Sequence, residues 1–286
     1  MRYLLAIDGS EQSLEAVQVL ADLCPAEKTI MLHALDVPNP TYPTMAPEAI
    51  RDLYRIVERD MRDDGQRLLD RTVTILPEGV GTVERRLELG TPSEVIVANA
   101  ERERMDLIIM GARGLSPAKE IVFGSVSHRV VTHAPCAVLI VPGPMTPLRT
   151  VLLAVKGRED ADTTIQFFMN KPFRNAVKVD VLTVVPLPED GRLIDTDSEP
   201  LRDMALRSAQ RFVEDIAARL STVRCCAVPV AKIGQPAPTI LKHAEELQPD
   251  LVIIGSHTGT TIWRFFMGSV SQKILHTTRR PVLTIR

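Results

Sequence analysis

The chain has 286 residues, of which 45% are hydrophobic and 24% are charged, a composition that excludes disordered and fibrous proteins. Its 34 basic and 36 acidic residues give a net charge of −2, which argues against a protein that binds nucleic acid by neutralising phosphates. The four cysteines have no metal-binding spacing, and no apolar run approaches the ~18 residues needed to cross a bilayer. We therefore expect a cytoplasmic protein with neither a membrane nor a nucleic acid as its partner.

Short apolar runs alternate with amphipathic stretches along the first part of the chain. The apolar runs predict strands at 2–7, 29–37, 82–89, 106–110 and 136–141, and the stretches at 11–23, 92–104 and 124–133 predict helices. Pro92 suits the first turn of its helix. This alternation is typical of βαβ units around a parallel sheet.

The pattern is interrupted once and then starts again. Residues 141–147 contain three prolines and a glycine, which predict a linker between a first half (residues 1–143) and a second half (residues 148–286). Three motifs recur 144 positions later: Gly90-Thr-Pro92 as Gly234-Gln-Pro236, Asp106-Leu as Asp250-Leu, and Gly124-Ser-Val-Ser127 as Gly268-Ser-Val-Ser271. The sequence therefore predicts a tandem duplication with one domain in each half.

One glycine motif of the first half has the pattern of an anion site. Gly111-Ala-Arg-Gly114 follows a predicted buried strand, and after nine residues Gly124-Ser125 opens the next helix, with Ser125 expected as its cap. Glycines allow the backbone to approach a ligand closely, and a helix N-terminus attracts anions through its unpaired N–H groups. The alternative interpretation is that these glycines serve only turns and a helix start.

The same motif resembles a known family when other features are added. Asp8 at the end of the first strand, the Gly-x2-Gly-x9-Gly-Ser pattern, the segment 134–141 and the duplication together resemble the universal stress protein family. The first half matches the pattern of its nucleotide-binding subgroup in full. The resemblance implies two tandem α/β domains, each with a doubly wound, Rossmann-like (adenine-nucleotide alpha hydrolase-like) five-stranded parallel sheet of strand order 3-2-1-4-5.

The resemblance also implies a ligand, ATP, at the switch point between strands one and four. The residues expected around the nucleoside are Ala6, Ile7, Asp8, Ala34, Met110 and Gly111, and those expected around the phosphates are Arg113, Gly114, Gly124, Ser125 and Val126, mostly through N–H groups. Magnesium is expected only through the phosphates of the nucleotide, without protein ligands of its own.

The second half departs from this pattern at two positions that would face the ligand. Lys156 stands where the first half has Asp8, and Thr258 replaces the second glycine of the motif. Lysine offers donors where an acceptor is expected, and a β-branched residue resists the backbone freedom of glycine. We therefore expect ATP to bind the first half and to bind the second weakly or not at all.

Three functions remain open. The resemblance implies an ATP-binding regulatory protein of the cellular stress response, with little or no turnover because no motif is placed to activate water. The second possibility is a scaffold of the same fold that binds no nucleotide, and the third is a slow ATPase or adenylyl-transferring enzyme.

The last predicted strands of the two halves, 136–141 and 281–285, are apolar and lie at sheet edges. An apolar edge is a template for pairing. We expect these strands to bring the two halves together as an intramolecular pseudo-dimer, and the whole chain could form a homodimer through other surfaces.

Overall fold

The computed structural model describes residues 1–38, 46–114, 123–186, 199–221, 225–255 and 267–286. In the first half the elements are β1 (Arg2–Ala6), α1 (Glu11–Gln18), β2 (Lys28–Leu35), α2 (Pro47–Thr74), β3 (Val83–Leu89), α3 (Pro92–Arg102), β4 (Leu107–Gly111), α4 (Ser125–His133) and β5 (Ala137–Val141). In the second half they are β6 (Thr150–Ala154), α5 (Arg158–Met169), β7 (Val177–Pro186), α6 (Glu199–Leu220), β8 (Cys225–Gly234), α7 (Pro236–Leu247), β9 (Leu251–Gly255), α8 (Ser269–Thr277) and β10 (Val282–Ile285).

The strands form one sheet in the order β3-β2-β1-β4-β5-β10-β9-β6-β7-β8. Within each half the order is 3-2-1-4-5 and the strands are parallel, so the predicted α/β fold is confirmed. The two five-stranded units are joined into one sheet, because β5 and β10 pair antiparallel, with Leu139 opposite Leu283. Both strands carry apolar side chains and would otherwise leave their edge N–H and C=O groups unpaired. The expected pairing of these two strands is thus observed.

Helices cover both faces of the sheet, as the near-continuous apolar strands require. One apolar core lies between the sheet and helices α1, α2, α5 and α6. The other lies between the sheet and helices α3, α4, α7 and α8. Both cores extend across the two halves. Among the described residues, no helix combines the length and the apolarity needed to span a bilayer.

The repeated aspartate before β4 and β9 has a structural role in each half. Asp106 Oδ2 accepts a hydrogen bond of 2.7 Å from the N–H of Arg2 at the start of β1. Asp250 Oδ2 accepts bonds of 3.0 and 2.9 Å from the N–H groups of Arg149 and Thr150 at the start of β6. Each aspartate therefore ties two neighbouring strands at the end of the sheet away from the candidate site.

Candidate functional site

A cavity of about 260 Å³ lies at the carboxyl ends of β1 and β4. The chain passes from β1 to β2 on one side, and the connection from β3 then crosses to β4 on the other side of β1, so this is the switch point of the sheet. All eleven residues that the sequence assigned to the site line this cavity: Ala6, Ile7, Asp8, Ala34, Met110, Gly111, Arg113, Gly114, Gly124, Ser125 and Val126. Their contact with a nucleotide stays a prediction.

Five further lining residues were missed by the sequence analysis: Ser13, Leu32, Pro92, Ile96 and Ser127. Two signals could have found some of them, because Pro92 and Ser127 belong to motifs that recur in the second half. Leu32 precedes Ala34 by two residues and therefore points to the same face of β2. Together with Met110, the apolar members form one wall of the cavity.

Asp8 organises the start of α1 as well as lining the cavity. Its Oδ1 accepts hydrogen bonds from the N–H of Ser10 at 3.0 Å and from the Ser10 hydroxyl at 2.6 Å. Ser10 is the N-cap of α1, and its Oγ accepts a bond from the N–H of Ser13 at 3.2 Å. The other carboxylate oxygen lies against Gly114, where an added Cβ would be 2.5 Å from Asp8 Oδ2. A side chain at position 114 would therefore displace the Asp8 carboxylate from this position.

Two of the N–H groups expected to face phosphates have protein acceptors. The N–H of Arg113 donates to Gln12 Oε1 at 2.8 Å, and the N–H of Gly124 donates to the carbonyl of Ala112 at 2.8 Å. Gly111 also lies close to α1, because a Cβ added to it would be 2.9 Å from the backbone of Gln12. These bonds fix the loop after β4. The N–H groups of Arg113 and Gly124 therefore do not serve as donors to a ligand, and the donors must lie at other residues of the cavity.

Those donors are at the start of α4. The N-cap is Gly124, with φ −80° and ψ 162°, and no side chain caps the first turn. The expectation that Ser125 is the cap is wrong, because Ser125 is already the first helical residue. Helix geometry leaves the N–H groups of Ser125, Val126 and Ser127 without intrahelical acceptors. The uncapped N-terminus therefore presents donors and a positive dipole end to the cavity.

The first turn of α4 is fixed to the end of β4 by one hydroxyl. Ser127 Oγ donates to the carbonyls of Gly111 and Ala112, at 3.0 Å in each case. The Ser127 side chain is buried, and its bonds do not use the N–H groups that face the cavity. The donors at the helix start are thus preorganised by the protein.

The comparisons with known proteins agree with this architecture. The family model described as "Universal stress protein family" matches residues 1–142 and 147–286. The chain belongs to this family. A relative from Mycobacterium bovis, universal stress protein Mb2028c, is 24% identical over 99% of this chain and 96% of its own length. Another, universal stress protein MJ0531 from Methanocaldococcus jannaschii, is 27% identical over 50% of this chain and 82% of its own length.

Solved structures show the same fold over the full length of this universal stress protein. A universal stress protein from Archaeoglobus fulgidus superposes with a TM-score of 0.66 at 22% identity, covering 100% of this chain and 98% of the other. A putative universal stress protein from Pseudomonas aeruginosa gives a TM-score of 0.61 at 15% identity over 99% of this chain and 92% of the other. At these identities the likeness concerns the fold.

The second half of this universal stress protein has a cavity at the equivalent place, of about 370 Å³. Lys156 and Asp160 line it, and the N–H of Lys156 donates to Asp160 Oδ2 at 3.2 Å. Asp160 also lies against the end of β9, since a Cβ on Gly255 would be 2.6 Å from its Oδ1. The predicted departure at Thr258 lies outside the described residues. Of the two predicted differences from the first half, only the one at Lys156 lies within the described residues.

The first cavity suits an adenine nucleotide in its chemistry. It joins an apolar wall, an acceptor at Asp8 and the donors at the start of α4. Among the described residues, no group of three or more His, Cys, Asp or Glu side chains could hold a metal ion.

Proposed function

We propose that this universal stress protein is an ATP-binding regulatory protein of the cellular stress response. In this proposal the nucleotide occupies the cavity of the first domain, residues 1–143, and the second domain, residues 148–286, binds it weakly or not at all. One observation carries the proposal: the eleven residues assigned from the sequence line a single cavity whose far end is an uncapped helix N-terminus.

The lining suggests how ATP would lie. The adenine packs on the apolar wall of Leu32, Ala34, Ile96 and Met110, and the phosphates meet the N–H groups at the start of α4. Asp8 Oδ2 is an acceptor suited to a hydroxyl or amino group of the nucleoside, because its partner Oδ1 already binds Ser10. Magnesium accompanies the phosphates.

Turnover is expected to be slow or nil. Backbone N–H groups bind ground-state phosphates about as well as a transition state, and uniform binding does not raise the chemical rate. Asp8, the carboxylate in the described lining, is engaged with Ser10 and is placed at the nucleoside end. We expect hydrolysis far below the ~10 per second of an ordinary enzyme, measured by phosphate release from the purified chain.

Assembly and location complete the proposal. The β5–β10 pairing makes the two domains an intramolecular pseudo-dimer, and a further homodimer would use other surfaces. We place the protein in the cytoplasm, as the cysteine spacing of the sequence, which predicts no disulfide framework, suggests.

Calorimetric titration with Mg-ATP tests the proposal with a matched pair of variants. Gly124 and Gly268 are equivalent N-caps, at α4 and α8, and both have backbone angles that valine adopts. A Cβ at Gly124 would contact Ala112 O at 3.4 Å, an ordinary distance, so Gly124→Val should fold. Its side chain would screen the N–H groups at the start of α4.

We expect one site per chain, lost in Gly124→Val and retained in Gly268→Val. Circular dichroism of both variants checks that the fold is kept. Two equal sites, or loss of binding in Gly268→Val alone, would contradict the assignment to the first domain. No binding of ATP by the unsubstituted chain would favour the scaffold.

A further inference from the structure

Helix α4 is held at its C-terminal end by a residue of the second half. Arg286, which follows β10, donates to the carbonyls of Val131 and Ala134, at 2.6 Å in each case, and to the carbonyl of Thr132. The last carbonyls of a helix have no intrahelical partners, and a cation near them interacts favourably with the helix dipole. The planar guanidinium can serve all three carbonyls at once.

The second half also contacts the other end of α4. Phe123, directly before the N-cap Gly124, is 3% exposed, and its ring meets that of His276 on α8 edge-on, with centroids 5.3 Å apart. The ring of His276 also lies 6.1 Å from that of His128 on α4. Both ends of the helix that borders the first cavity therefore pack against α8 or the residue after β10.

The counterparts of these residues differ in chemistry, so the first half lacks the same side chains to hold α8. At the offset of 144 residues, the counterpart of Arg286 is Pro142, which has no side-chain donor, and the counterpart of His276 is Thr132. The counterpart of Phe123 is Met267. The pseudo-dimer is therefore asymmetric in these contacts. Arg286 and His276 of the second half pack on α4, the helix that borders the candidate nucleotide site.

We propose that Arg286 is a positioning residue for the first cavity, through which the second half sets the place of α4 and hence the affinity for phosphates. The inference rests on the proposed function, because it assigns a purpose to the N–H groups of Ser125 and Val126. A helix of nine residues moves as a unit, so a shift of its C-terminal turn displaces the N–H groups at its start. The second half thereby affects the first cavity, although the described lining of that cavity includes none of its side chains.

The test compares Arg286→Met with Arg280→Met in the full chain. Arg280 lies just before β10 in the same half, and the hydrogen bonds that it donates in the described structure go to the side chains of Gln248 and Thr278. Mg-ATP and adenosine are titrated by calorimetry, and amide hydrogen exchange is followed in α4 and, for reference, in β1. Arg286→Lys is added because it keeps the charge and loses the fork of donors.

We expect Arg286→Met to weaken ATP binding about three- to tenfold, the usual range for coupling through a packed element. Adenosine binding should change less, since adenosine has no phosphate at the start of α4. Exchange should rise in α4 and not in β1, Arg286→Lys should have an intermediate effect, and Arg280→Met should match the unsubstituted chain. This split between ATP and adenosine would not arise from general loss of stability.

Unchanged ATP affinity in Arg286→Met would overturn the inference, as would an equal loss for ATP and adenosine. If Arg286→Met does not fold, Arg286→Lys decides in the same terms. No ATP binding by the unsubstituted chain would contradict the proposed function and with it this inference. Binding that ignores both Arg286 variants would contradict the inference alone.

Discussion

The cavities of the two halves share an apolar frame. Equivalent positions around them carry the pairs Leu32 and Leu182, Pro92 and Pro236, Ile96 and Ile240, and Met110 and Ile254. The strand ends are also fixed alike: His33 Nδ1 lies 2.6 Å from the carbonyl of Ile7, and the Thr183 hydroxyl donates to that of Val155 at 2.9 Å. The leucine, isoleucine and methionine members of these pairs also belong to the apolar core between the sheet and helices α3, α4, α7 and α8.

The difference lies at the polar mouth of each cavity. At an offset of 148 residues, Asp8 is replaced by Lys156 and Gln12 by Asp160. In the first half the end of β1 presents the carboxylate of Asp8 to the cavity, whereas in the second half it presents the ammonium of Lys156, with the carboxylate of Asp160 beside it. The comparison teaches that a fold and the apolar lining of its cavity can be kept while the polar positions at the cavity mouth change.

The largest expected effect comes from giving the first half the residue of the second. Asp8→Lys replaces the acceptor by donors and removes both bonds to Ser10, so ATP affinity should fall by about 100-fold, or ~2.7 kcal/mol. Asp8→Asn is the control, because its amide oxygen still accepts from Ser10. Calorimetry on both variants, with circular dichroism for the fold, checks this. If Asp8→Lys binds ATP as tightly as the unsubstituted chain does, Asp8 does not contribute to nucleotide binding.

Much of the first cavity could be predicted because the family resemblance implied residues at the ends of the first, second and fourth strands and at the glycine motif. The glycine motif joins the end of β4 to the start of α4, and both line the cavity. Ser13 and Ile96 were missed because their place depends on how α1 and α3 pack, which a local pattern does not encode. The contact between Arg286 and Ala134 spans |i−j| = 152 residues and was equally out of reach.

The fold was easier to predict than the details of the helix start. The strand order followed from the family resemblance, and the single sheet followed from two apolar edges. Ser125 was expected as a cap from its residue type alone. The backbone of Gly124 is extended and takes that position, which leaves the first turn uncapped.

A smaller effect is expected at the hydroxyl that anchors each helix to its strand. Ser127 Oγ donates to Gly111 and Ala112, and its counterpart Ser271 donates to Gly255 at 2.9 Å. Replacing either serine by alanine should cost about 1 kcal/mol of unfolding free energy, measured by urea denaturation. Only Ser127→Ala should also weaken ATP binding, since it loosens the first turn of α4. A loss of ATP affinity in Ser271→Ala as large as that in Ser127→Ala would contradict the role given to the first turn of α4.

A second polar difference between the halves lies on the α3 side of the sheet. Glu103 Oε2 accepts from Lys28 Nζ at 2.7 Å, and its Oε1 accepts from Arg86 Nη1 at 2.9 Å. In the second half the counterparts of Glu103 and Arg86 are Leu247 and Val230, both packed on the apolar core. At these two positions the first half has an ion pair where the second half has apolar side chains, although the second half has a neighbouring ion pair of its own, between Lys232 and Glu246 at 3.4 Å.

The smallest effect is the acid sensitivity that the ion pairs of Glu103 give to the first half. The bonds from Lys28 and then Arg86 lower the pKa of Glu103 from its ordinary value of 4.5 to about 2. A carboxylate whose pKa is lower in the folded chain stabilises the fold above the unfolded pKa, and this contribution is lost as pH falls toward the folded one. Glu103→Gln should therefore be less stable than the unsubstituted chain at pH 7, and the difference should shrink between pH 4.5 and about 2. Urea denaturation across this range measures it, with the exposed Glu101→Gln on the same helix as control. A difference that is constant with pH would mean that Glu103 acts through its shape and hydrogen bonds and not through its charge.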